Sequence, residues 1–446
     1  MVLTKRITFL FLIISISFQS CNILDSPDTL KPEEELKALL PYAQYLTAYW
    51  SGTDNARFPL QWSQQLSGVR NLHLRVDKYN LTHSEVNTVW NLYYQYILTN
   101  LETIILLSND VDAKAYRGIA NILKVYTSGL MTDAWGDIPY QNALSVRAPY
   151  DPQEVVLMQN MSLLDQAIQD LNNATKHLPT GDEDIIYRGD LEKWKKAANV
   201  IKLRLHLRLA NVSANYESLL TIMNTAQLFS GNQDNMEYQF DGNENVNPHF
   251  FFDNEIRNTR VGLFFVQKLE ETNDPRLPVF VKHNLSGNYK GSAPGGAELT
   301  ASYVGTPLAS RTSPVSFISF TEQKFIAAEV YLRTNQQAQA DNAYNEAVKA
   351  SLEQHGVSDS QWEQTHASIE NVTLEQIINA KYIALFLNPE VWADYRRTGY
   401  PALTPFDGES NDIPRRLIYP LDEITNNPAN VPSDVDIYTR VWWDVE

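Results

Sequence analysis

The stretch WNLYYQYILTNL, residues 90–101, places bulky apolar side chains three and four positions apart over three helical turns. Side chains at this spacing lie on one face of an α-helix. Further stripes with the same spacing begin at Tyr42, Ile119, Leu157, Trp194 and Leu374. The sequence therefore predicts an all-α protein whose amphipathic helices bury these faces.

The predicted helices form pairs joined by short polar turns, at about 82–131, 153–213, 320–352 and 373–400. Helix starts are indicated by capping-box spacing at Thr82 with Glu85, Ser319 with Glu322 and Thr373 with Gln376, and by Asp151-Pro152. Small residues such as Gly118 allow close approach of neighbouring helices. The pattern predicts a tetratricopeptide-like superhelix in degenerate form, because the full consensus is absent.

Two regions lack helical periodicity and are predicted to be long ordered loops, residues 51–81 and 231–317. The second is rich in glycine and asparagine, with one helix expected near 260–271. The tail from residue 400 is rich in proline. Long loops on a rigid scaffold usually carry function, so these regions are predicted to bind the ligand.

The first 20 residues read as a signal peptide, with Lys5 and Arg6 before an apolar segment at 7–18. Cys21 is the only cysteine and follows a small residue, as in a bacterial lipobox, although Phe18 and Gln19 depart from the consensus. We expect lipidation at Cys21; the alternative is a secretory signal with an incidental cysteine. Residues 21–35 are predicted to be an acidic tether, and 36–446 a single domain.

The net charge and the motif content exclude several functions. The chain carries a formal charge of −17, and −19 without residues 1–20, which argues against nucleic-acid binding. A single cysteine cannot form an intramolecular disulfide. No metal, cofactor or catalytic motif is present, and the oxygen-rich segment 241–247 lacks the spacing of a calcium loop. Asp133 and Asp137 could form a glycosidase pair, but a capping and turn role is favoured.

Several aromatic residues stand in the glycine- and asparagine-rich regions, outside the helical stripes. An aromatic ring covers the apolar face of a sugar while amide and guanidinium groups bind its hydroxyls. We therefore predict a neutral oligosaccharide as ligand, with Trp50, Trp62, Tyr289 and Tyr303 as the leading contacts. Two further candidate contacts are Phe58 and Phe251, the latter within the run Phe250–Phe252.

Five segments in order resemble the SusD/RagB family of outer-membrane nutrient-binding lipoproteins. They are MTDAWGDIPY at 131–140, KWKKAANV at 193–200, DPRL at 274–277, AEVY at 328–331 and EVWADYRR at 390–397. The resemblance implies four tetratricopeptide-like pairs that support a loop-rich remainder. It also implies a surface-exposed, non-enzymatic lipoprotein that passes oligosaccharides to a SusC-type TonB-dependent transporter, without a cofactor.

Two alternatives to a glycan-binding lipoprotein stay open from the sequence. The first is a binder of peptides or another nutrient with the same fold, which would need a strand edge or a charged pocket. The second is an α/α-barrel glycosidase, because two of the 53 acidic side chains could face each other across a cleft.

Overall fold

The computed structural model describes residues 30–175, 178–406 and 412–445. The predicted signal peptide, Cys21 and residues 22–29 of the predicted tether lie outside the described residues. Helix α1 begins at Pro32, so the last four residues of the predicted tether are helical. None of the helices in the described ranges is long and apolar enough to cross a lipid bilayer.

Four pairs of helices lie in the regions where pairs are predicted. They comprise α5 (Thr99–Asp110) with α6 (Lys114–Trp135), α7 (Gln153–Asn172) with α8 (Leu191–Ser213), α13 (Phe320–Arg333) with α14 (Gln337–Gln354), and α16 (Leu374–Ala384) with α17 (Glu390–Thr398). The remaining longer helices are α1 (Pro32–Ser51), α2 (Asp54–Trp62), α9 (Glu217–Thr225) and α11 (Leu263–Glu271). Shorter helices are α3 (Asn71–Asp77), α4 (Asn87–Asn91), α10 (Pro248–Phe251), α12 (Leu277–Phe280), α15 (Ser360–His366) and α18 (Leu421–Asn426).

Helix starts agree with the sequence at two of the three capping boxes. The Ser319 hydroxyl accepts from the Glu322 amide, and Thr373 and Gln376 cap each other reciprocally. Thr82 is different: its amide donates to Glu85, but α4 begins only at Asn87 and continues into a π-helical turn at Leu92–Leu98. The first predicted helix therefore starts later than its capping signal indicates.

The stripes that predicted the helices form the core. Trp90 is 2% exposed and Trp194 is fully buried, which confirms both as packing residues. A Cβ at Gly118 would lie 2.8 Å from the Leu171 side chain, so a glycine allows α6 and α7 to approach this closely. Burial of large apolar side chains at these positions supplies the main stabilisation of the scaffold.

The prediction that residues 51–81 form a loop is wrong, because this region contains α2, strand β1 (Leu66–Gly68) and α3. Region 231–317 is irregular, as expected, and holds a 3₁₀ turn at Asn232–Asp234, strands β2 (Met236–Tyr238) and β3 (Thr259–Val261), a π turn at Phe252–Ile256, and the start of β4 (Val315–Ile318). In the described residues, β1 pairs with β3 and β2 with β4, both antiparallel, with Ser67 opposite Arg260. A Cβ at Gly262 would lie 2.0 Å from the Gln64 carbonyl oxygen, so this crossing requires glycine.

A buried ion-pair network ties the helical pairs together. Arg208 on α8 is fully buried, and its guanidinium donates to Glu390 at 2.6 Å and to Asp133 at 3.0 Å. Arg204 pairs with Glu322 at 2.6 Å. These contacts join α6, α8, α13 and α17 through charge-assisted hydrogen bonds.

Candidate ligand-binding surface

Three of the aromatic residues predicted to contact ligand are core residues instead. Trp50 and Phe58 are fully buried and Trp62 is 1% exposed. The Trp50 indole donates to the Val89 carbonyl at 3.1 Å, and the Trp62 indole donates to the Val76 carbonyl at 3.1 Å. Because helices α1 and α2 carry these rings inward, none of the three presents a face to ligand.

The other three predicted residues retain exposed surface. Phe251 is 40% exposed on the short helix α10. Tyr303 and Tyr289 are half-buried on the segment 281–305, whose two ends are joined by the hydrogen bond from the Lys282 amide to the Tyr303 carbonyl. The Tyr289 ring contacts His283 at 4.3 Å between ring centres. These rings are placed by the loop-rich region, as the sequence predicts.

Phe252 is half-buried and lies under a buried arginine. The Arg57 guanidinium carbon is 3.8 Å from the centre of the Phe252 ring. The centres of the Phe251 and Phe252 rings are 5.8 Å apart. The Arg57 guanidinium also donates hydrogen bonds to Asn258 at 3.2 Å and to Thr259 at 2.5 Å. The guanidinium therefore fixes the orientation of the Phe252 ring from one face.

Tyr303 has the same arrangement with a different arginine. The Arg260 guanidinium carbon lies 3.8 Å from the centre of the Tyr303 ring. Arg260 is nearly buried, and its guanidinium donates to the carbonyls of Thr259 at 2.7 Å and Leu299 at 3.2 Å. Strand β3 thus supplies the cation that packs on Tyr303.

Asp253 connects the two aromatic pairs. It follows Phe252 in the chain, and its carboxylate accepts from the Val304 amide, next to Tyr303, at 3.1 Å. These contacts link Phe251, Phe252 and Tyr303 with Arg57 and Arg260, and we call this group of residues the aromatic surface.

Burial shifts the pKa values of the charged groups at the aromatic surface. Burial lowers the pKa of Arg57 to about 10, and it raises the pKa of Asp253 to about 6 against the opposing effect of Arg57. Burial lowers the pKa of Arg260, to which the nearby Arg70 and Arg257 also contribute. Guanidinium groups are protonated at neutral pH, so Arg57 and Arg260 place positive charge here in an otherwise acidic chain.

Arg57 and Arg260 were not selected from the sequence as ligand contacts. Phe252 belongs to the run Phe250–Phe252, which the sequence does single out, and it begins the π turn at residues 252–256. The arginines give no local signal, since each is placed by contacts with residues distant in sequence, such as Asn258 for Arg57.

The acidic candidates have structural contacts. Asp133 accepts from Arg208 and from the Trp443 indole at 2.8 Å. Asp137 accepts from the Gln153 amide, the first amide of α7, at 2.9 Å. Within segment 241–247, the Asp241 carboxylate accepts from the amides of Asn243 and Asn245. In the described ranges no group of three or more acidic, histidine or cysteine side chains is arranged to hold a metal ion.

Comparison with solved structures identifies the fold. A chitin-binding protein superposes with a TM-score of 0.82 and 25% identity, covering 92% of this chain and 100% of its own. A chitin-binding SusD homologue from Flavobacterium johnsoniae gives 0.79 at 23% identity, covering 93% and 98%. A SusD/RagB family protein from Bacteroides thetaiotaomicron gives 0.79 at 23%, covering 92% and 98%. The tetratricopeptide-like helical fold is thereby confirmed.

Comparison with curated proteins gave no match. The family model for SusD-like proteins, described as starch-binding and associating with the outer membrane, matches residues 28–420. This match covers most of the chain, including every helical pair and the aromatic surface. The chain therefore belongs to the SusD-like family of starch-binding proteins that associate with the outer membrane.

Proposed function

We propose that this protein binds a neutral oligosaccharide at the aromatic surface and does not cleave it. The observation that carries the proposal is the pair of ring and guanidinium contacts at Phe252 with Arg57 and at Tyr303 with Arg260, both at 3.8 Å. The family description as starch-binding and the chitin-binding protein with the same fold support a glycan ligand.

The chemistry of the aromatic surface suits a sugar. Rings that are partly exposed offer an apolar face to the C–H groups of a pyranose. Guanidinium groups offer planar N–H donors, and those of the exposed Arg70 and Arg257 near Arg260 are available to hydroxyl oxygens. A neutral glycan also avoids repulsion from the strongly acidic remainder of the chain.

The absence of hydrolysis is part of the proposal. Asp133 and Asp137, the carboxylates most suggestive of a glycosidase pair, are held by Arg208 and by the start of α7. Asp253 lies beneath the aromatic surface and accepts from a backbone amide, which suits a structural role. These contacts give all three carboxylates structural partners, so we assign none of them to catalysis.

Affinity electrophoresis tests the glycan proposal directly. The mature protein should migrate more slowly in native gels that contain soluble starch or glycol chitin than in gels without polysaccharide. The Tyr303→Ala variant should lose this retardation. If neither polysaccharide retards the wild type, starch and chitin are not its ligands.

We also propose a lipid anchor at Cys21 and delivery of the glycan to a SusC-type TonB-dependent transporter. The anchor is supported by the lipobox-like sequence before Cys21 and by the family's association with the outer membrane. The several acyl chains of a bacterial lipoprotein would hold the protein stably, whereas a single chain is a marginal anchor.

Fractionation of cells tests the anchor. The wild type should sediment with outer membranes at high salt, and Cys21→Ser should appear in the soluble fraction. A Cys21→Ser protein that still sediments contradicts the anchor, and a transporter that fails to co-purify with the detergent-extracted wild type contradicts the partnership.

A further inference from the structure

A second cleft, of about 290 Å³, lies where region 231–317 meets the helical pairs. Its lining includes residues of α1, α6, α10, α12, β2 and β4, the end of α14, and the segment 384–389 at the end of α16. None of the five residues that define the aromatic surface lines it. The volume is near the lower limit of small-molecule pockets, roughly 300 Å³.

The cleft is lined by two kinds of side chain. The apolar ones include Val279, Leu308, Leu385, Phe386, Leu387 and Pro389. The polar ones include Glu237, His249, Gln354 and His355. A ligand that contacts both kinds has an apolar body and a polar group.

Glu237 determines which polar group a ligand of this cleft should carry. Its carboxylate accepts from the Gln354 amide nitrogen at 3.1 Å and from Asn235 at 3.4 Å, and both donors favour the ionised form. Burial opposes them and raises the pKa of Glu237. Among the described residues, no lysine or arginine forms an ion pair with it, whereas the buried Glu322 and Glu390 each face a guanidinium.

The two histidines that line the cleft, His249 and His355, are uncharged at neutral pH. Burial lowers the pKa of His249 to about 3 and that of His355 to about 4. A neutral imidazole can both donate and accept a hydrogen bond. No lysine or arginine lines the cleft in the described part of the chain. The Glu237 carboxylate is therefore a partly buried charge without a counterion among the residues that line the cleft.

We propose that this cleft binds a small organic ammonium ion, whose nitrogen pairs with Glu237 while its apolar body packs against Leu308 and Phe386. Desolvation of a carboxylate costs free energy unless a cation and hydrogen bonds compensate for it, and a ligand ammonium supplies both. An anionic ligand would meet repulsion from Glu237 with no compensating cation on the walls.

Three probes with one apolar body and different head groups test the proposal by calorimetry on the full mature chain. Benzylamine is expected to bind, benzyl alcohol to bind more weakly and benzoate not to bind. Glu237→Gln should raise the Kd for benzylamine on the order of tenfold or more. The matched control is Glu353→Gln, which changes an exposed glutamate beside the cleft and should leave the Kd unchanged.

The proposal is overturned if benzylamine does not bind at millimolar concentration, if benzyl alcohol binds equally well, or if Glu237→Gln binds benzylamine as the wild type does. The melting temperature of Glu237→Gln should be close to that of the wild type, because the change removes a partly buried charge that has no cationic partner and keeps an oxygen that can accept from Gln354. Glycan retardation should be the same in both proteins, so the outcome at this cleft is independent of the proposed glycan binding.

Discussion

The Arg260 guanidinium lies 3.8 Å from the centre of the Tyr303 ring, and both side chains belong to the loop-rich region that the helical pairs support. Strand β3 holds Arg260, and the close of the 281–305 segment holds Tyr303. Because Arg260 is anchored by the carbonyls of Thr259 and Leu299, the ring rests on a rigid partner. The orientation of the proposed sugar platform is thus set by the protein itself.

Removing the ring from either half of the aromatic surface should weaken glycan binding. Tyr303→Ala and Phe252→Ala should each cost on the order of 1–3 kcal/mol of binding free energy, by analogy with aromatic stacking on flat bases. Tyr96→Ala is the matched control, since Tyr96 is 44% exposed on the distant π-helical turn. Calorimetric titration with an oligosaccharide that binds the wild type measures all three; equal loss in the control would mean that the effect is not local.

Trp62 should affect stability and leave glycan affinity nearly unchanged. Its ring is 5.4 Å from the Trp392 ring in the core, so Trp62→Ala is expected to lower the free energy of unfolding by about 3–5 kcal/mol. The same cost is expected for Trp90→Ala and Trp194→Ala. Urea denaturation measures the loss, and a folded Trp62→Ala protein with lost glycan binding would restore Trp62 as a ligand contact.

The ion pairs of Arg208 predict a large loss on truncation. Arg208→Met leaves Glu390 and Asp133 without their shared guanidinium, which should destabilise the fold by about 3–5 kcal/mol. Chemical denaturation at neutral pH measures the loss. Glu390→Gln combined with Arg208→Met should be less harmful than the sum of the two changes, and strict additivity would contradict a direct pairing.

Histidine 249 should make stability depend on pH. The folded state holds its pKa at about 3, below the ordinary value, so acidification protonates the unfolded chain first. Stability is therefore present above the unfolded pKa and falls as the pH decreases through that range. When the pH is lowered from neutral to about 5, the free energy of unfolding of His249→Gln should fall by about 2 kcal/mol less than that of the wild type. If the free energy of unfolding changed with pH equally in the two proteins, His249 would not be the source of the pH dependence.

The helical pairs could be predicted from sequence because their periodicity is local, as Trp194 and its neighbours show. Helix α2 could not be predicted, since Arg57 and Gln61 make it look polar although every residue from Asn55 to Trp62 is buried. Those side chains are satisfied by partners elsewhere, including Thr259 for Arg57 and Asp77 for Gln61. Tertiary contacts, which leave no local pattern, thus decided which aromatic residues became core and which form the aromatic surface.

Calorimetric titration of the mature wild type with malto- and chito-oligosaccharides, followed by chromatography of the recovered ligand, tests glycan capture most directly. We expect saturable binding of at least one of the two series, lost in the Tyr303→Ala variant, with the ligand recovered intact after prolonged incubation. Absence of binding to both series would contradict the proposed ligand class, and shortened products in the recovered ligand would contradict a non-enzymatic role.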